Sequence, residues 1–268
     1  MTMPAPLAEG SRCVLAVRGL RGPLAAPMAF WFDGEGLWTT TSGASVKAEV
    51  LRRDPTCVAY VPPADPSDPG VVVRGHARVH SLRDPVALAL HAPTISAAMT
   101  ALAARNVGTL LGYAQDAPQI PLRWTPPNRV VVRLAAEEIE EITAPEPGPG
   151  IAPALPAQVP AVVRRALAGR RRIALAVDGG RLDVVPAAWG QGYRLTLPVG
   201  WGPADGVAAC AVVDAEPRRR PTEVLGLALR GIVTDRTLRP ERATWWRGFD
   251  LATVDVPAPT DPGITLPD

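Results

Sequence analysis

The chain has 268 residues, 47% hydrophobic and 20% charged, with 28 basic and 26 acidic side chains and a net charge of +2. That length exceeds the usual single domain and favours two modest ones, each able to bury a core, and the near-neutral balance offers no basic face for nucleic acid. No apolar run approaches the roughly 18 residues of a membrane span, and residues 1–9 lack a cationic segment ahead of an apolar core, so a cytoplasmic location is expected.

Residues 13–17, 24–32, 36–41, 56–61 and 71–80 read as strands, with a hairpin signal at Asp33-Gly34-Glu35-Gly36 between the second and third. Next comes a polar, turn-like stretch from Thr39 to Lys47, rich in hydroxyls and leading into a short helix. Lys47 is the only lysine of the chain. Hydroxyls and free backbone N–H groups before a helix make an anion site, and a compact ammonium adds a point charge, so the stretch is a candidate phosphate anchor. Apolar spacing turns helical over 85–104. Residues 129–134 return to a strand, and the acidic run Glu137, Glu138, Glu140 and Glu141 reads as a solvated end.

Recurrent proline from Thr143 to Pro160 excludes both helix and sheet, and marks the boundary between a first domain (1–142) and a second (161–268), with 143–160 as linker. A short helix over 161–167 precedes strands in the order already seen. Leu15-Ala16-Val17 aligns with Leu175-Ala176-Val177, Pro27 to Trp31 with Pro186 to Trp189, and Arg74-Gly75 with Arg230-Gly231. These matches predict a tandem duplication. Short strands joined by Gly- and Pro-rich turns predict a mainly β protein with a few helices, built as two small antiparallel barrels.

Cys13, Cys57 and Cys210 are scattered in apolar runs without metal-ligand spacing, as expected of small core residues. The arginine runs 170–172 and 218–220 read as solvated strand ends. His76 and His80 share a strand face with Arg78, while His91 stands in the helical stretch without a partner. No metal site, catalytic triad or paired catalytic carboxylates emerge. Trp189, Trp201, Trp245 and Trp246 load the second half with aromatic weight, read first as core packing and second as stacking over a flavin or an aromatic substrate.

The string PMAFWFDGEGLWTTTSGASVKAEVLRRDPTCVAYV, followed by VVVRGHARV, resembles the flavin-binding split barrels related to pyridoxamine 5'-phosphate oxidase, including deazaflavin-using relatives. The pattern rests on Thr41, Ser45, Lys47, Leu51, Asp54, Pro55, Gly75 and Ala77. The resemblance implies two split β-barrel domains in tandem forming an internal pseudo-dimer, and FMN or the deazaflavin coenzyme F420 as cofactor. Its phosphate would lie at Thr39, Thr40, Thr41, Ser45 and Lys47, its ring along the backbone of Pro27, Met28, Ala29 and Phe30, with Trp201 closing over it. Val46 stands where the oxidase has a second cation, and Ala25 and Phe30 replace basic residues of its ring-binding strand, which points away from a vitamin B6 substrate. Arg52 or Arg53 could restore the missing charge. The corresponding stretch of the second half, Leu197 to Asp205, has no cation and an added carboxylate, so one site per chain is expected. The implied function is a flavin- or deazaflavin-dependent oxidoreductase acting on a small molecule, as a monomeric pseudo-dimer or a homodimer, with no catalytic side chain assigned. The alternative is a non-catalytic flavin- or haem-binding, sequestering protein, with His76 or His80 as a conceivable iron ligand.

Overall fold

The structure is a computed structural model and describes residues 3–81, 85–122, 128–214 and 220–257. Six strands form the first unit: β1 (Arg12–Gly19), β2 (Gly22–Phe32), β3 (Gly36–Ser42), β4 (Thr56–Val61), β5 (Gly70–Ser81) and β6 (Arg129–Ile142). They pair antiparallel in the order β1-β2-β3-β6-β5-β4 and close into a barrel. Helix α1 (Ala5–Glu9) precedes β1, α2 (Val46–Arg53) joins β3 to β4, and α3 (Pro85–Arg105) and α4 (Val107–Gln115) lie between β5 and β6.

After α5 (Ala161–Leu167) the second unit comprises β7 (Arg172–Asp178), β8 (Leu182–Trp189), β9 (Leu195–Thr196), β10 (Val207–Asp214), β11 (Leu225–Thr234), β12 (Thr237–Arg247) and β13 (Asp250–Asp255). Its sheet order is β13-β12-β11-β10-β7-β8-β9. Without β13 this is the order of the first barrel, strand for strand. The sequence predicts a second small antiparallel barrel here. The short β9 reaches β12 through one bridge, Arg194 to Thr237, and two flanking hydrogen bonds, Leu195 N–H to the Arg236 carbonyl (2.7 Å) and Leu238 N–H to the Tyr193 carbonyl (3.0 Å). Two residues of strand close the seam only in part. The protein is thus mainly β, with two split-barrel units in tandem that pack as an internal pseudo-dimer.

The units meet through the outer faces of their strands. Strand side chains alternate between faces, and here both faces are buried. Leu15 and Val17 point into the first core, whereas Ala16 points to the junction; Leu175 and Val177 fill the second core, whereas Ala174 and Ala176 face the junction. This explains the continuous Ala/Val runs, since small residues let two curved sheets approach. Val58, Tyr60 and Val72 from one side and Val184, Cys210 and Val212 from the other complete the seam. At its edges Arg12 pairs with Asp214 (2.5 Å) and Arg18 with Asp178 (3.0 Å).

The densest charge cluster lies at Arg74, whose residue surface is 8% exposed. Its guanidinium forks onto Asp183 of β8 (3.1 and 3.0 Å) and also donates to Glu138 (3.1 Å) and Glu140 (2.7 Å) of β6. The acidic run is exposed, as expected, and forms the second half of a strand. Glu138 and Glu140, two apart, present one face to Arg74, while Glu137 meets His76 (2.5 Å). Arginines of both runs also carry structure, Arg218 and Arg219 lying outside the described residues. Arg171 donates to the Trp189 carbonyl (2.8 Å), and Arg220 donates to the fully buried Asp116 beyond α4, whose other oxygen takes the Thr222 hydroxyl (2.6 Å).

Both barrels carry a β-bulge at the matched glycine, between Arg74 and Gly75 and between Arg230 and Gly231. A Cβ on Gly75 would lie 1.9 Å from the Ala135 carbonyl oxygen, and one on Gly231 1.8 Å from that of Arg239. Backbone cannot yield there as a flexible side chain would. Gly231→Ala is expected to lose at least about 2 kcal/mol of stability, read as a lowered midpoint in denaturant.

Candidate functional site

Strand β3 ends where the Gly43 N–H donates to the Asn128 carbonyl (2.8 Å), turning the chain toward α2. Ser45 caps that helix, its hydroxyl accepting from the Ala48 N–H (3.2 Å) and lying 3.2 Å from the Thr41 hydroxyl. The N–H groups of Val46 and Lys47, in the first turn, have no acceptor within the helix, and the positive end of the helix dipole lies here. The chain folds so because a serine in extended backbone followed by helix-compatible residues is a good N-cap.

Lys47 is only partly exposed, and its ammonium lies 3.4 Å from the sulfur of Met28 on β2. Among the described residues no carboxylate pairs with it. Burial pulls its pKa down to about 8; the neighbouring Cys13 thiol opposes this and the Arg129 guanidinium adds to it. Arg129 opens β6 opposite Ser42 and donates to both the carbonyl (3.1 Å) and the hydroxyl (2.6 Å) of Thr40. Arg52 reaches the Gly43 carbonyl (3.3 Å), at the rim of the same turn. Three cations, one hydroxyl pair and two free amides converge on one spot. Such a donor set fits a dianionic phosphate.

The other expected site residues divide. Thr41, Ser45, Lys47 and Met28 come together, and Pro27 and Ala29 continue the strand beside them, with Ala29 exposed. Thr39 is buried and its hydroxyl is spent on the Ala29 carbonyl (2.7 Å), so it braces β2 against β3. The Thr40 hydroxyl is taken by Arg129. The Phe30 side chain is fully buried in the barrel core, which leaves only its backbone to a ligand. Trp201 packs on the core of the second unit. Arg53 turns away to Glu49, one helical turn back, which leaves Arg52 as the nearer cation of the two.

Arg129 escaped the sequence reading because its proximity to Lys47 depends on closing the barrel. In the second unit α2 has no counterpart: residues 197–206 form loop and turn. Asp205 accepts the Asp235 N–H (2.8 Å) of the β11–β12 turn, where Asp235 and Arg236 have φ of 49° and 55°, so its carboxylate secures a hairpin.

The histidines are not equivalent. His76 is exposed against Glu137. His80 is buried, stacked on Trp38 (6.0 Å between centroids) and edge-on to His91 (5.4 Å), so His91 does have a partner. Burial, then His91, Arg78 and Arg133, hold the His80 pKa below its usual value. All three cysteines are buried free thiols. No group of three His, Cys, Asp or Glu side chains able to hold a metal ion is found among the described residues. No helix among them is long and apolar enough to cross a membrane.

Residues 3–105 match the family model described as pyridoxamine 5'-phosphate oxidase. That match spans the first five strands of the first barrel. Among solved structures similar to this chain are a pyridoxamine 5'-phosphate oxidase-related, FMN-binding protein from Nostoc punctiforme (17% identical, covering 51% of this chain and 76% of that one, TM-score 0.38). Others are an FAD-binding protein from Mesorhizobium loti (18%, 52% and 94%, TM-score 0.38) and an F420 reductase (21%, 51% and 94%, TM-score 0.34). No curated protein matches the chain. The matched region holds β1 to β5, α2 and the Lys47 turn, whereas Arg129 lies beyond it.

The lowered Lys47 pKa gives a pH prediction. Below about pH 8 the ammonium is charged in the free protein and ready for an anion; above it, binding must take up a proton. Affinity for a phosphate ligand should therefore fall by up to about tenfold per pH unit above that point. Folding moves the other way. The folded pKa lies below the unfolded 10.5, so the cost of burying the charge is full below about 8 and is relieved as pH rises from there toward 10.5. Calorimetric titrations and thermal midpoints across this window check both signs.

Proposed function

We propose that the Lys47 turn holds the phosphate of a flavin-type cofactor, FMN or the deazaflavin coenzyme F420, and that the protein is an oxidoreductase acting on a small molecule. The observation that carries this is Lys47 itself: a partly buried ammonium at a helix N-terminus with no carboxylate partner among the described residues. Burial without a counter-charge is costly, and a bound phosphate removes that cost. When bound, the cofactor supplies the hydride chemistry, and the protein binds and orients it.

In this reading Ser45, with the amides of Val46 and Lys47, donates to the phosphate, and Lys47 neutralises it, with Arg52 and Arg129 at the rim. Thr41 holds the Ser45 hydroxyl in place, and the backbone of Pro27, Met28, Ala29 and Phe30 is the edge offered to the ring. Trp201 is the candidate aromatic cover from the second unit. We divide the chain into domains 1–142 and 161–268 with 143–160 between them, and read the shared strand order and paired bulges as a tandem duplication whose second copy lost α2. Because the pseudo-dimer is internal, a monomer suffices, and a homodimer is compatible with the same site. Three reduced, buried cysteines suit a cytoplasmic location.

Titration of the full chain with FMN and with coenzyme F420, followed by absorbance and calorimetry, tests the reading. One equivalent per chain is expected. Two equivalent sites would overturn the one-sided arrangement, and no binding of either cofactor would overturn the function. Binding without turnover of any reducible substrate would favour the sequestering role.

A further inference from the structure

The Arg74 cluster has a counterpart that lacks its carboxylates. Register equates the two sides. In the first unit Arg74 lies opposite Glu138, and Val72 opposite Glu140; in the second Arg230 lies opposite Arg242, and Ala228 opposite Thr244. Likewise Val17 pairs with Leu24 as Val177 pairs with Asp183. The three carboxylates around Arg74 are thus replaced around Arg230 by an arginine, a threonine and a leucine.

Arg230 nevertheless remains drawn into the junction. It shares its strand face with Ala228, a member of the seam, and pairs in register with Cys210, another. Its Nε is buried and without a hydrogen-bond partner. Burial, then the charges of Arg242 and Arg21, hold its pKa below the usual value, against the opposing influence of Cys210. Arg21 sits in the β1–β2 hairpin, as Arg181 sits in the β7–β8 hairpin beside Glu138. The carboxylates nearby are peripheral. Asp255 meets Arg242 Nε (3.1 Å) with 86% of its side chain exposed, and Glu241 occupies the exposed bulge. Three guanidinium groups thus gather around Arg230, one with a buried donor left over. A buried donor without an acceptor is destabilising, and a guanidinium fork suits a two-oxygen acceptor.

We propose that Arg230, Arg242 and Arg21 form a binding site for a small oxyanion, a carboxylate or phosphate group, at the junction of the two units. This site is separate from the Lys47 turn and independent of the flavin reading. Gly22, at the Arg21 end of β2, is six residues from Met28, which is about 20 Å of strand.

The test uses full-length Lys47→Ala protein, so that the α2 turn does not contribute, titrated at constant ionic strength with sodium phosphate and with sodium acetate. A saturable rise in thermal midpoint with at least one anion is expected, phosphate preference indicating a phosphorylated ligand and acetate preference a carboxylate one. Adding Arg230→Gln should weaken that response about tenfold or more. Arg242→Glu, which rebuilds the arrangement around Arg74, should abolish the response while leaving the anion-free midpoint equal or higher. The proposal is overturned if neither anion gives a saturable response, if the response survives Arg230→Gln unchanged, or if Arg242→Glu lowers the anion-free midpoint and still responds.

Discussion

Lys47→Ala is expected to weaken binding of FMN, or of the deazaflavin, by about 1.5–3 kcal/mol, which is roughly a 10- to 150-fold rise in Kd. The argument is electrostatic and local. A desolvated ammonium meets its counter-charge only when phosphate is present, so nearly all of its interaction is made on binding. The same substitution should leave thermal stability unchanged or slightly raised, because it removes a charge whose burial opposes folding. That pairing of outcomes separates an anchor from a structural lysine: a variant that binds normally removes the anchor, and one that is merely unstable shows the lysine to be structural. Lys47→Arg should recover only part of the affinity, since a planar fork does not place its charge where the compact ammonium does.

Arg74→Met is expected to cost about 3 kcal/mol of stability, near the lower end for a broken buried ion pair, because Glu138 and Glu140 remain half exposed to water. The substitution fills a similar volume but leaves Asp183, Glu138 and Glu140 facing one another without a cation. Their mutual repulsion then opposes folding, so the extra loss should shrink as added salt screens it. Chemical denaturation at low and at high salt measures both the size and the sign. A loss independent of salt would assign the effect to packing instead.

Legibility in the sequence followed the range of the interactions. The first five strands of the first barrel, the helix over 85–104 and the hairpin at Gly34 were readable because period and turn chemistry are local. The twin glycines were readable as a match, and their reason, carbonyl oxygens that leave no room for a Cβ, became visible only in register. The acidic run failed as a strand because glutamate has low strand preference, and what overrides it is Arg74, far away in the chain. Only Ile139, apolar between two acidic pairs, hinted at pairing. Arg129 was hidden from the Lys47 site for the same reason, and His91 from His80. Trp189, fully buried, followed its composition into the core. Phe30 was assigned to the ring edge through its backbone by resemblance, and alternation along β2 directs its side chain inward.

Arg18 and Asp178 occupy the same register in the two units, each at the end of its first strand, and they bond to each other. In an assembly of two identical chains a residue on the two-fold axis meets its own copy, so arginine would oppose arginine or aspartate would oppose aspartate. Opposite signs at a self-facing position require that the two faces differ. The difference between the two faces is thus what makes each half the other's preferred mate. Produced as separate polypeptides, the halves should seek one another rather than themselves, with salt weakening that preference.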